Sequence, residues 1–302
     1  MEIVIQAEHL RKTYRSVVAV EDVTLSIRQG EVFGIVGPNG AGKTTTVECM
    51  MGLRQPDGGT VRVLGLDPLQ QGMELRRRIG VQLQQAALPD RLKVWEALDL
   101  YASFYDQPAD WSVLLEEWGL ADKRNASFAS LSGGQRQRLF IALSLINNPE
   151  LVFLDELTTG LDPQARRATW DHIRAIRKRG TTVVLVTHFM DEAEQLCDRV
   201  AIIDRGRIIA LDTPRALIHE THPESRVRFT LQNGFDPRLL EQVEGVNRVI
   251  RDGDEVTVYG NGPLMARIAV ILAEHHIAAP DLRSEQPTLE DVFLTLTGRH
   301  IR

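Results

Sequence analysis

Apolar positions along this chain follow two rhythms. Val32-Phe33-Gly34-Ile35-Val36 and Leu151-Val152-Phe153-Leu154 are unbroken apolar runs, the pattern of strands buried on both faces. Thr182-Val183-Val184-Leu185-Val186-Thr187 is a third such run and ends at His188. Between about residues 86 and 147 the spacing changes. Trp95, Leu98, Ala102 and Tyr105 recur at three- and four-residue steps, and Trp111, Leu114, Leu115 and Trp118 continue the apolar content. That segment is predicted to be helical. Lys43 to Met51 and Gln135 to Ile146 also carry helical spacing, and residues up to about 85 otherwise read as short strands. From 148 to about 218 strand and helix alternate, ending in Arg199–Ala210, a predicted hairpin with Arg205-Gly206 at its turn.

The texture shifts after Thr221-His222-Pro223-Glu224-Ser225. Arg226–Leu231 alternates as a strand does, Pro237–Val243 predicts a short helix, and Val246–Val258 predicts two strands around Asp252-Gly253-Asp254. Met265–His275 reads as a helix, Thr288-Leu289-Glu290-Asp291 as a helix start and Gly298 as its stop. The pattern therefore divides the chain into residues 1–218, with a helical insert at about 86–147, and a small α+β domain at 219–302.

Chemistry concentrates where the buried strands end. The first opens into Gly37-Pro38-Asn39-Gly40-Ala41-Gly42-Lys43-Thr44, followed by Thr45 and the predicted helix. Strand, glycine-rich loop and helix in that order turn backbone N–H groups inward onto phosphate oxygens at a helix N-terminus. Lys43 would neutralise the β- and γ-phosphates, and the Thr44 hydroxyl would ligate magnesium. The second strand ends in Asp155-Glu156. Beside a phosphate loop, Asp155 suits Mg²⁺ and Glu156 suits general-base activation of water. Ser132-Gly133-Gly134-Gln135 precedes a helical run. A serine cap with small neighbours exposes donors and the positive end of the helix, a second anion site.

These motifs, in this order, resemble the nucleotide-binding subunits of ABC transporters over about residues 1–218. The resemblance implies an α/β fold, a P-loop NTPase domain of ABC type with an inserted helical subdomain, plus the small C-terminal α+β domain. It implies ATP and Mg²⁺ as cofactors. Tyr14 matches the aromatic residue that stacks on adenine, a contact worth on the order of 1–3 kcal/mol between bases and aromatic rings. Gln84 aligns with the glutamine that senses Mg²⁺ and water, with Gln82 and Gln85 as close competitors. Gly160-Leu161-Asp162 resembles the loop that crosses the dimer interface, and His188 the switch histidine that contacts the γ-phosphate. The Ser132 segment matches the surface that faces the phosphate loop of the other subunit, so the expected unit is a homodimer, or a pair with another ATPase subunit, with ATP between head-to-tail faces. Leu157 stands where the family usually has proline, which would stiffen the turn; altered loop mobility is expected, with the chemistry retained.

The ending Leu289-Glu290-Asp291-Val292-Phe293-Leu294-Thr295-Leu296-Thr297-Gly298-Arg299 resembles the tail of drug-export, daunorubicin-resistance-type ATPases. That implies an ATPase subunit driving export of a drug, lipid or polysaccharide-like substrate through a separate permease, of the ABC-2 type, at the cytoplasmic face of the cell membrane. An importer subunit and a soluble ABC ATPase acting on ribosomes or DNA are the competing readings. The second is disfavoured by a single nucleotide unit, no long coiled-coil insert, no zinc-type cysteine spacing and no basic stripe.

Composition narrows the picture. A net charge of −6 argues against a nucleic-acid partner. The two cysteines, Cys49 and Cys197, fall in predicted helices and suggest a reducing compartment. Met1–Gln6 lacks the basic and apolar regions of a secretion signal. No stretch approaches the ~18–20 consecutive apolar residues that cross a bilayer. His275, His276 and His300 lack ligand partners at metal spacing, so no metal is expected there.

Overall fold

The computed structural model describes residues 2–84, 86–221, 224–231 and 236–298. Contacts divide the chain into two units, one up to Pro214 and one from Arg215 onward. Gln85 and His300, named above, lie outside the described residues.

The first unit opens with β1 (Ile3–Tyr14) and β2 (Val17–Arg28), each 12 residues long rather than short. They pair antiparallel from Ile5↔Ile27 to Tyr14↔Val17, with register shifts that break the alternation of their side chains. β3 (Val32–Val36) leads into α1 (Lys43–Met50), and β4 (Gly58–Val63) joins the outer edge of β1. α2 (Gly72–Arg78) precedes β5 (Ile79–Gln82). Then come α3 (Val94–Ala102), α4 (Trp111–Glu117) and α5 (Gly133–Ser144). The chain returns to the sheet with β6 (Leu151–Asp155), α6 (Pro163–Lys178), β7 (Thr182–Thr187) and α7 (Met190–Leu196). β8 (Arg199–Asp204) and β9 (Arg207–Asp212) form the expected hairpin; Arg205 and Gly206 at its turn both have positive φ, 48° and 75°.

The nine strands form one sheet in the order β4-β1-β2-β9-β8-β3-β7-β6-β5. Every residue of β3, β6 and β7 is buried. β8, β3, β7, β6 and β5 run parallel, with Val36 opposite Thr187, Asp155 opposite Val186 and Gln82 opposite Leu154. Parallel register carries the phosphate loop, Glu156, His188 and the segment after β5 to one edge. Open α/β sheets bind ligands at such carboxyl ends.

Several helix boundaries differ from the pattern; α1 ends one residue early at Met50, and α9 is displaced by one residue, to Leu264–Glu274. α3 stops at Ala102, and Tyr105 lies beyond it in turns closed by Phe104 N→Tyr101 O and Tyr105 N→Ala102 O. α5 begins two residues earlier than its apolar spacing and ends at Ser144. Its start is set by capping, which hydrophobic periodicity does not register. Cys197 caps the end of α7, outside its helical turns.

α8 (Pro214–Thr221) spans the expected boundary between residues 218 and 219, and the contact division falls earlier, after Pro214. The second unit contains β10 (Ser225–Thr230), β11 (Val246–Asp252), β12 (Glu255–Gly260), α9 (Leu264–Glu274), β13 (Arg283–Glu285) and α10 (Leu289–Thr297). The predicted helix at Pro237–Val243 is instead a 3₁₀ segment, Pro237–Gln242. The antiparallel order β11-β12-β10-β13 is that of a split βαβ arrangement. Val227, Phe229, Val256 and Val258 of the sheet pack with Leu264, Ile268 and Leu272 of α9. α10 is capped reciprocally by Thr288 and Asp291 and ends at Gly298, φ 70°.

Candidate active site

The loop between β3 and α1 is pressed against neighbouring backbone. A Cβ at Gly37 would lie 2.1 Å from the Ile203 carbonyl oxygen, and one at Gly42 2.2 Å from that of Ala19. Gly42 also holds φ 102°, which side-chain-bearing residues avoid. Lys43 is 5% exposed. Its Nζ donates to the carbonyls of Gly37 at 2.8 Å and Pro38 at 3.0 Å. Burial lowers its pKa, against the opposing pull of Glu156 and Asp155. The ammonium thus sits at the mouth of its own loop, on carbonyl bonds it can exchange for phosphate oxygens.

Asp155 is buried at the end of β6. Thr44 Oγ1 donates to its Oδ2 over a long 3.4 Å, and its Oδ1 has no hydrogen-bond partner. Burial pushes the Asp155 carboxyl up to about 6; Glu156 adds to this, while Thr44 and Lys43 oppose it. A buried orphan oxygen beside a hydroxyl and a second carboxylate fits a hard divalent cation. In the metal-free protein this carboxyl binds its proton more tightly folded than unfolded. Its contribution to stability, about 3 kcal/mol at most, is therefore full below pH ~4 and lost as pH rises through ~6. Asp155→Asn is expected to raise the metal-free melting temperature at pH ~7.5 and to raise it less at pH ~5, as thermal unfolding without nucleotide will show.

Glu156 is the next residue, and its φ of 51° is left-handed, a conformation costing of order 1–3 kcal/mol for a residue other than glycine. Its N–H donates to Val186 O at 2.8 Å, which ties the turn to β7. Gln84 Nε2 donates to Oε2 at 2.7 Å. His188 Nδ1 lies 3.3 Å from Oε1, and with a carboxylate opposite, that nitrogen carries the proton. Gln82, by contrast, is buried and turns its amide onto the Leu83 carbonyl. Both Glu156 oxygens are thus oriented by side chains from two other strand ends.

A cavity of about 370 Å³ runs from Tyr14 and Ala19, past Asn39, Lys43 and Thr44, to Gln84 and Glu156. Gly40, Gly42 and Thr45 also line it. Tyr14 is 37% exposed, with Lys12 Nζ 5.6 Å from its ring centre. Ala19 escaped the sequence reading, since it contributes only a small side chain and a close backbone and carries no chemical signal.

The Ser132 segment does not line this cavity. Ser132 N donates to Gln135 Oε1 at 2.9 Å, and Gln135 N to Ser132 Oγ at 3.3 Å, a reciprocal cap on α5. Gly133 has open space where a Cβ would stand, and that of Gly134 would be 3.8 Å from Ala165 at the start of α6. Asp162 caps α6, accepting from Gln164 N and Ala165 N, both at 2.9 Å. The segment and the Asp162 loop therefore border one another on a surface separate from the cavity in a single chain. Leu157 is fully buried. The leucine that stands for the usual proline anchors the turn by burial.

A glycine loop at the carboxyl end of a parallel strand, with a lysine, a threonine and two strand-end carboxylates, defines a P-loop nucleotide-binding cassette. The family described as ABC transporter matches residues 20–159. The chain is 38% identical over 309 aligned positions to the Nod factor export ATP-binding protein I of Ralstonia nicotianae, covering 99% of this chain and 95% of that one. It is also 38% identical to the daunorubicin/doxorubicin resistance ATP-binding protein DrrA of Streptomyces peucetius, covering 97% and 92%. A solved ABC transporter ATP-binding subunit superposes with a TM-score of 0.66 at 28% identity, over 72% of this chain and 92% of that one. A dimeric ATP-binding cassette in a post-hydrolysis state with ADP and Pi gives 0.62 at 28% identity, over 69% and 98%. The chain belongs to the ABC transporter family, as an ATP-binding subunit with ATPase activity.

Proposed function

We propose that this protein powers an exporter, closing head to tail on two molecules of MgATP with a second copy or a paired ATPase subunit. The observation that carries the export reading is similarity to export and drug-resistance ATP-binding proteins across 97–99% of the chain, beyond the cassette into the second unit. In each site Lys43 leaves its loop carbonyls for the β- and γ-phosphates, and Tyr14 stacks on adenine. Thr44 and Asp155 would hold Mg²⁺, with Gln84 beside them; the ion would supply charge neutralisation at the phosphates. Glu156, aligned by Gln84 and His188, takes a proton from the attacking water. The γ-phosphate is met from the other protomer by Ser132, Gly133, Gly134 and Gln135, where first-turn N–H groups of α5 lack intrahelical acceptors. Asp162 lies beside them at that interface.

Among the described residues no helix is long and apolar enough to cross a membrane. In this reading the transported molecule passes through a separate polypeptide, an ABC-2 type permease. Leu83 next to Gln84, and Leu100 and Phe104 in the helical insert, expose apolar side chains suited to a cytoplasmic loop of that partner. The protein then sits peripherally at the cytoplasmic face of the membrane. Affinity purification from detergent-solubilised membranes, with protein and RNA analysed, tests this. An integral membrane protein in stoichiometric amount is expected; ribosomal RNA in its place would overturn the reading.

A further inference from the structure

Glu192, on α7, is wholly inaccessible to solvent. It takes no part in the nucleotide chemistry above, yet it joins elements that do. Trp170 Nε1 of α6 donates to its Oε1 at 3.2 Å. The hydroxyls of Thr187, at the end of β7, and of Thr158, in the turn after Glu156, also face the carboxyl. Thr187 Oγ1 accepts from Phe189 N at 3.0 Å, which leaves its own proton free to point at Glu192. Thr158 Oγ1 and Glu192 Oε2 are both buried, and neither completes a well-formed hydrogen bond.

The charged neighbour acting on Glu192 is Asp191, of the same sign and itself paired with Arg166 at 3.5 Å. The Cys197 thiol, kept protonated mainly by burial, adds no positive charge. Burial raises the carboxyl's pKa; the two hydroxyls and the indole only oppose it. A buried carboxyl that meets no cation depends on its hydrogen-bond partners alone. With Trp170 donating to Oε1, Oε2 is the oxygen left for the Thr158 hydroxyl.

We propose that Glu192 is a positioning residue for hydrolysis, a buried hydrogen-bonding carboxyl that holds the Glu156 turn, through Thr158, and the His188 strand end, through Thr187, in one frame. The inference rests on the hydrolytic reading of Glu156 given above. It assigns Glu192 and Thr158 to one unit: a shift of the turn that brings the two unpaired oxygens together completes the missing bond as Glu156 is set in place.

The test compares Glu192→Leu, Glu192→Gln, Thr158→Val and the Leu/Val double variant, measuring kcat and ATP affinity separately, with Glu156→Gln as control. Misplacing an aligned catalytic group is expected to lower kcat roughly ten- to hundredfold in Glu192→Leu and Thr158→Val, with ATP affinity unchanged. The double variant should be no slower than the worse single variant. Glu192→Gln, whose amide can accept from Trp170 and bond the Thr158 hydroxyl, should stay within about twofold of the parent. Equal losses in Glu192→Gln and Glu192→Leu, normal kcat in Thr158→Val, or losses that multiply in the double variant would each overturn the proposal. If Glu192→Leu does not fold, the contrast between Glu192→Gln and Thr158→Val decides. A parent protein without turnover, or a Glu156→Gln variant that keeps it, would instead strike the hydrolytic reading.

Discussion

Glu156→Gln is expected to bind ATP normally, to lose turnover by about 10²–10⁴-fold, and to accumulate as an ATP-bound dimer. The substitution preserves the size of the side chain and one oxygen for Gln84 or His188, so the turn anchored by Leu157 and the Glu156 N–H to Val186 bond should persist. What it removes is the basic oxygen that can accept a proton from water, since an amide does not substitute for a carboxylate as a base. In the proposed reading binding rests on Lys43, Thr44 and Tyr14, which line other parts of the cavity. Closure without hydrolysis leaves nothing to reopen the pair. Gel filtration with and without ATP, alongside phosphate release, reads both effects. A monomer that hydrolyses at the parent rate would refute the role of Glu156.

How much of this was visible in the residues alone depends on how local each interaction is. The phosphate loop is legible because phosphate contact demands small residues at fixed contiguous positions. β3, β6 and β7 are legible because every residue in them is buried, so no solvent-facing position breaks their apolar runs. The long β1–β2 hairpin is less so, since its register shifts scramble the period of two. β13 went unread because Arg283–Glu285 is short and polar, and it is a strand only through pairing with β10. The 3₁₀ segment at Pro237–Gln242 has a helix-like pattern too short to separate the two helical forms.

The site shows the same division. Gln82 and Gln84 are equivalent in sequence, and only the ending of β5 at Gln82 sends one amide to its neighbour's carbonyl and the other to Glu156. Asp191-Glu192-Ala193-Glu194 carries no motif in the sequence. The burial of Glu192 is created by α6 and β7, remote in sequence, and no local rule announces it.

Ser132→Arg separates binding from catalysis most sharply, because the Ser132 segment lies outside the cavity of its own chain. Loss of its cap on α5 costs about 1 kcal/mol, too little to unfold the domain. The arginine instead fills the space beside Gly133, where no atom approaches in the isolated protomer. ATP affinity is therefore expected to be unchanged, while turnover falls by on the order of 10²-fold, as when donors to a developing anion are removed. Lys43→Ala should do the reverse and abolish binding at its own loop. If each site joins the loop of one protomer to the Ser132 segment of the other, a mixed dimer of the two variants rebuilds one complete site, and turnover should reappear on mixing although neither variant is active alone. A folded Ser132→Arg variant that fails to bind ATP, or that hydrolyses it at the parent rate, would rule out a site divided between protomers in this way.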